Sequence, residues 1–373
     1  MSHSPRITAS LLVASALLLV GCSTEGNPTP PVTVTTEPEP TATTTEEEPE
    51  PEETTPTGPL EPEALLTGLD APWSITFHED TTLISERDSA IILEVTEADD
   101  TREVGVISGA QARGEGGLLG IAAHADSLYV YYTTSTDNRL DRYPLTGDPG
   151  SLSLGSAETL LEGIPAANVH NGGRIAFGPD EKLYVTTGDA GNTSTSQDLG
   201  SLAGKILRLN PDGSVPDDNP FDDSYVYSYG HRNPQGIAWA EGSTMYASEF
   251  GQNTWDELNE IQAGGNYGWP QAEGIAEHPD YIDPLQQWAT SEASPSGIAI
   301  FDGSIFIANL RGERLREVPL SDLSSSTEHF VGEYGRLRDV VAAPDGDLWF
   351  LTNNTDGRGE PGPDDDRLIR FRP

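Results

Sequence analysis

One short two-strand pattern recurs six times along the chain, and that periodicity constrains the fold more than any other feature. Each copy begins with a strand-length run of small or apolar residues. A turn rich in Gly, Pro or Asp follows, and then a second apolar strand. The first three copies are Trp73-Ser74-Ile75-Thr76-Phe77 with Leu83-Ile84, Gly120-Ile121-Ala122-Ala123 with Leu128-Tyr129-Val130, and Arg174-Ile175-Ala176-Phe177 with Leu183-Tyr184-Val185. The other three are Gly236-Ile237-Ala238-Trp239 with Met245-Tyr246-Ala247, Gly297-Ile298-Ala299-Ile300 with Ile305-Phe306-Ile307, and Asp339-Val340-Val341-Ala342 with Leu348-Trp349-Phe350. Successive copies start roughly 40 to 60 residues apart, the period of a four-stranded propeller blade. No long helical periodicity competes with it. The expectation is an all-β, six-bladed β-propeller of four-stranded antiparallel blades. A parallel β-helix is the main rival, but its coils are much shorter than this period.

The chain ahead of the repeats divides in two. Arg6 precedes the apolar run Ala9 to Val20, which is too short to span a bilayer comfortably and reads as the core of a signal peptide. It ends Leu19-Val20-Gly21-Cys22, similar to the lipobox of bacterial lipoproteins, in which the cysteine is lipidated. The alternative is a cysteine that merely follows a signal peptide. Residues 1–22 are therefore expected to export the chain and anchor it by lipid at the outer face of the bacterial cytoplasmic membrane. Residues 23–59 are Thr, Pro and Glu with almost nothing apolar, and are expected to form a disordered acidic tether. Residues 60–373 form the propeller domain.

The net charge is −41, and only nine of the 61 acids lie in Ser23 to Pro59. A folded part this acidic repels nucleic acid and anionic lipid, which excludes both as direct ligands and leaves the lipid anchor as the membrane contact. Calcium binding and a saline habitat both suit such a surface, and composition does not separate them. Cys22 is the only cysteine, so no internal disulfide forms and no Cys-x-x-Cys-His haem attachment exists. Electrons released in any redox reaction must leave to an external acceptor such as a quinone, a cytochrome or another redox protein.

Repeat equivalence brings distant residues to one end of the channel. Those just before each inner strand are Trp73; Glu115; His170, Asn171 and Arg174; His231, Arg232 and Asn233; Ser294 and Ser296; and Arg336 and Arg338. A ring with charge, imidazole and amides has the inventory of a site. His170 lies in Asn168-Val169-His170-Asn171-Gly172-Gly173-Arg174, whose glycines let backbone approach a ligand. A neutral imidazole there can take a proton from a hydroxyl, although a hydrogen-bonded structural histidine would look the same in sequence. Arg232 and Asn233 offer donors to an anion, and Arg311, Arg336 and Arg338 add cations. Salt bridges within or between blades are the alternative use for these arginines. Ser248 to Glu257 combines a Gly turn with carboxylates, which suits calcium as well as it suits a solvated acidic loop. Gly114-Glu115-Gly116-Gly117-Leu118-Leu119-Gly120 is no dinucleotide loop, because its last glycine is one residue late and no βαβ unit surrounds it.

From about Leu65 onward the chain resembles the soluble glucose dehydrogenases and aldose sugar dehydrogenases, the glucose/sorbosone dehydrogenase family. Gly116 to Gly120, His170 to Arg174 and Gly204 to Gly213 carry the resemblance, followed by Gly230 to Gly236, Gly264 to Pro270 and Arg336 to Asp339. It implies oxidation of aldoses at the anomeric carbon to lactones with pyrroloquinoline quinone (PQQ) and Ca2+. His170 matches the family's general base, and Arg232 the arginine that stabilises charge on the quinone oxygen. Asn233, Arg311, Arg336 and Arg338 match cofactor contacts, with Glu115 at a position facing the sugar and cofactor. Gly251 and Gln252 match the turn whose carbonyls hold calcium, and Asp256, Glu257 and Tyr267 match further calcium ligands. Three positions depart from the best-known members. Val169 replaces an aspartate, Glu115 a glutamine, and Gln252 a proline. The first two concern the sugar, so they bear on substrate range. A non-catalytic binding propeller and a calcium-dependent lactonase are the competing readings.

Overall fold

The computed structural model describes residues 59–96 and 100–373, and the signal segment, Cys22 and nearly all of the tether lie outside them. Six antiparallel sheets follow one another in chain order, each beginning with one of the six repeats. The inner strands are Pro72–His78, Leu118–His124, Ile175–Phe177, Pro234–Trp239, Pro295–Phe301 and Leu337–Ala342. Each blade has four strands, and the second carries an extra two-residue strand, Ser153–Leu154. No described helix is long and apolar enough to cross a membrane.

The alternation of side chains along each strand explains why the sheets stack. One face of a blade packs on the next, so apolar residues are needed on both faces. Six buried clusters result, one at each junction. Leu83, Ile92, Leu118 and Val130 fill the first-to-second junction, and Tyr184, Ile206, Ile237 and Ala247 the third-to-fourth. The ring closes through a strand that the repeats did not assign. Leu60–Leu66 pairs antiparallel with Leu368–Arg372 and becomes the outermost strand of the sixth blade. Leu66, Leu69, Ile75, Ile84, Leu351 and Leu368 then seal the last blade onto the first. Closure leaves each sheet only a short outer edge.

A buried polar knot crosses the axis. The Arg174 guanidinium donates to Asp339 at 2.9 Å, to the Ser74 hydroxyl at 3.0 Å and to the Gln235 carbonyl at 3.0 Å, with the Trp73 ring 4.4 Å from its centre. This ties blades one, three, four and six together. A largely apolar cavity lies on the Arg174 side, lined by residues such as Ile121, Ile175, Ile237 and Val340. A charged cavity occupies the other mouth.

Candidate active site

The charged cavity measures about 390 Å³ and draws on all six blades. Arg87 comes from blade one, Glu115 from the entry to blade two and His170 from the entry to blade three. Blade four gives Arg232, Gln235, Gly251, Gln252 and Asp256. Ser294 and Arg311 come from blade five, and Arg336, Arg338 and Arg358 from blade six.

His170 is held as a base would need to be. Its backbone lies in the left-handed region at φ 56°, and its N–H donates to Glu115 Oε2 at 2.8 Å. The ring Nδ1 lies 2.7 Å from Asp189 Oδ1, which also accepts from the Gly191 N–H. The second oxygen, Asp189 Oδ2, accepts from the Trp269 indole N–H at 2.9 Å. Burial pushes Asp189 up, but the bonds from His170, Trp269 and Gly191 outweigh it and hold the carboxylate below its usual range. An ionised Asp189 fixes the proton on Nδ1 and leaves Nε2 as the acceptor. The close fit behind the ring needs Gly188, because a Cβ there would lie 2.0 Å from the His170 carbonyl oxygen.

The opposite wall is cationic. Arg338 donates to Gln235 Oε1 at 3.0 Å and to Asn353 Oδ1, while Arg336 donates to Asp356 at 2.8 Å. The Asp356 carbonyl accepts from Arg87. Burial, and then the neighbouring cations Arg87, Arg336 and Arg174, push Arg338 down to about 9 despite Asp356. An arginine does not surrender its proton in a protein, so this strain marks a place that favours an added anion. Buried donors of two lining residues point the same way: Nε of Arg336 and Nε of Arg232 have no hydrogen-bond partner. In so acidic a protein, six arginines facing a cavity whose acids are Glu115 and Asp256 fit a polyanionic ligand.

The turn after the Met245–Glu249 strand is built to free its carbonyls. The N–H groups of Gln252, Asn253, Thr254 and Trp255 all donate to Glu273 Oε1, and Gly251 N–H donates to Asp256 Oδ1. Among the described residues, the carbonyls of Gly251 and Gln252 receive no hydrogen bond. Gly251 is required by the turn itself, because a Cβ would lie 1.6 Å from the Trp255 carbonyl oxygen. Two free carbonyls beside a carboxylate suit a hard cation.

The sequence-predicted residues separate into two groups. Glu115, His170, Arg232, Gly251, Gln252, Asp256, Arg311, Arg336 and Arg338 meet in the cavity. Asn233 is fully buried outside its wall, and its Oδ1 accepts from the Gly172 N–H. Glu257 and Tyr267 line a small cavity behind the turn, which shares Arg232, Phe250 and Gly251 with the charged cavity. Glu257 accepts from Gly274 N–H, and the Tyr267 hydroxyl donates to the Glu260 carbonyl. The ring read from the repeats is likewise divided. His231 is enclosed between Ser228 and Glu249 and stacked on Tyr267, and Arg174 faces the opposite cavity. Residues one apart near a strand start face different ways, so repeat equivalence sets the level but not the direction.

Residues 69–369 match the glucose/sorbosone dehydrogenase family. The chain belongs to that family. Its fold superposes with a TM-score of 0.80 on the PQQ-bound aldose sugar dehydrogenase of Streptomyces coelicolor, at 46% identity over 86% of this chain and 99% of that one. It is 34% identical to quinoprotein glucose dehydrogenase B of Acinetobacter calcoaceticus over 59% of this chain and 54% of that protein. An aldose sugar dehydrogenase of Escherichia coli is 28% identical over 79% and 90% respectively.

In this glucose/sorbosone dehydrogenase family member, several site residues fall outside the segments that suggested a site. Arg87, Asp189 and Asp356 follow the second strand of their blades, Thr81–Glu86, Leu183–Thr187 and Leu348–Thr352. In an antiparallel hairpin the end of the second strand lies beside the start of the first, so both flanks reach the same mouth. The signal present in the sequence is a charged residue shortly after the second strand in each of these three blades.

Proposed function

We propose that the domain oxidises aldose sugars at the anomeric carbon to lactones, with PQQ and calcium as cofactors and an external acceptor for the electrons. The observation that carries this reading is a carboxylate-buttressed imidazole facing a surplus of arginines in one cavity of an acidic protein. When bound, PQQ would supply a quinone that accepts the anomeric C–H hydrogen with its electron pair as hydride, and calcium would supply a Lewis acid beside it. Arg311, Arg336 and Arg338 would hold its carboxylates, while the carbonyls of Gly251 and Gln252, with Asp256 close by, would hold calcium. His170 Nε2 takes the proton from the anomeric hydroxyl, and Asp189 stabilises the imidazolium that forms. Arg232, its guanidinium anchored on the Phe250 carbonyl at 3.0 Å, stabilises negative charge developing in the cavity. Glu115 and Arg358, paired at 3.2 Å on the rim above His170, sit where the sugar enters. The lactonase alternative calls for a carboxylate-rich axis, and arginines outnumber acids in this cavity.

The lipobox-like segment leads us to place the domain at the outer face of the membrane, tethered through Cys22, where a quinone or cytochrome can accept the electrons. Calorimetric titration of the metal-free domain tests the cofactor assignment. PQQ with calcium should bind one per chain, and tightly. Equal binding with EDTA present would remove calcium from the account, and no binding at all would remove the dehydrogenase reading.

A further inference from the structure

Two groups that the proposed reaction uses, His170 and Arg232, stand on different blades, yet a single side chain backs both. Trp269 comes from the long connection between the strands Trp255–Ile261 and Gln286–Ala289 of blade four, and this connection folds back toward the channel. Its backbone is pinned there, with its N–H donating to the Gly230 carbonyl at 2.9 Å and its carbonyl accepting from Gln197 at 2.8 Å. The ring is buried, at 7% exposure. Its indole N–H donates to Asp189 Oδ2, the oxygen that His170 does not use, and its face lies 5.6 Å from the Arg232 guanidinium carbon. Buried carboxylates need all their lone pairs engaged to keep one orientation, and an indole N–H is a donor with no alternative acceptor role. The ring face also attracts a guanidinium whose Nε has no other partner.

We propose that Trp269 is a positioning residue that couples the two halves of the site. Its N–H locks Asp189 so that the His170 proton stays on Nδ1, and its ring holds Arg232 toward the cavity. The role in turnover rests on the dehydrogenase reading above, whereas the effect on the His170 tautomer does not.

Trp269→Phe removes the N–H and keeps an aromatic face. In the cofactor-free protein, 15N NMR of the His170 ring should show a single Nδ1-protonated neutral form for the parent and a mixture of tautomers for the variant. In the loaded enzyme, kcat should fall about 10- to 100-fold with KM for the sugar little changed, the usual size of an effect on a group that orients another. Trp269→Ala should lose more, because Arg232 loses its support as well. The inference is overturned if Trp269→Phe keeps both the tautomer and kcat, or if kcat falls only in step with the folded fraction seen by circular dichroism. Should Trp269→Ala fail to fold, Trp269→Phe alone decides the matter. A parent that shows the single tautomer but no PQQ-dependent turnover would sink the dehydrogenase reading and leave the Trp269–Asp189 contact standing.

Discussion

Arg174 and Asp339 form an ion pair at 2.9 Å on the channel axis, with side chains only 7% and 3% exposed. The pair separates the site from the opposite cavity and joins blade three to blade six. Removing one partner strands the other charge in the interior. Arg174→Met is therefore expected to cost about 3–5 kcal/mol in urea unfolding. Burial already pushes Asp339 up, and the loss of its cation pushes it further, so the variant should lose less at acidic pH than at neutral pH. The Arg174→Met, Asp339→Asn double variant should recover most of the stability, because the amide removes the buried charge and its oxygen can still accept from the Ile75 N–H. A single variant as stable as the parent would show that the knot is not structural.

His170→Ala should abolish sugar oxidation and leave PQQ affinity unchanged, as measured by steady-state dye reduction and calorimetry. Asp189→Asn should keep the fold and lower kcat by about 10³- to 10⁴-fold, because an amide no longer demands the proton on Nδ1. Lost PQQ affinity in His170→Ala would make the imidazole a cofactor contact instead of the base.

Arg336→Ala and Arg338→Ala test the cationic wall. Both should weaken PQQ binding, by about 2–5 kcal/mol for a buried charged contact. Normal PQQ binding by both variants would place the anion elsewhere.

Asp256 sets a pH dependence. Burial raises its carboxyl to about 6, and the N–H bonds from Ser294 and Gly251 only partly oppose this. A group raised above its unfolded value contributes stability that is complete near pH 4 and is lost as pH rises through about 6. Relative to the metal-free parent, Asp256→Asn should thus become more favourable from pH 4 to pH 7, by about 3 kcal/mol at most. Calcium favours the ionised form and should reverse that trend in the parent, which urea melts with and without EDTA would reveal. An unchanged trend with calcium present would separate Asp256 from the metal.

The fold was legible because each blade repeats the same small-residue strand and turn, so six copies could be aligned within the chain itself. The closing strand was not, because Leu60–Leu66 has no partner in its own neighbourhood and pairs with residues some 300 positions away. His170 and the arginines could be read from repeat position. Asp189 and Arg87 could have been, had both flanks of each hairpin been followed. Trp269 could not, since its connection has no counterpart in the repeat and only the folded chain brings its indole to Asp189. Asn233, Glu257 and Tyr267 show what burial adds to chemical type: the Asn233 Oδ1 and the Tyr267 hydroxyl bond neighbouring backbone while Asn233 Nδ2 has no partner, and Glu257 lines the small cavity behind the turn.

The most direct test of the central claim is dye reduction by the purified domain, loaded with PQQ and calcium, across a panel of aldoses and their 1-O-methyl glycosides. The account expects turnover that tracks bound PQQ, lactone as product, and no reaction with glycosides that lack a free anomeric hydroxyl. A fully loaded domain that oxidises no aldose, or oxidises the glycosides equally well, would contradict it.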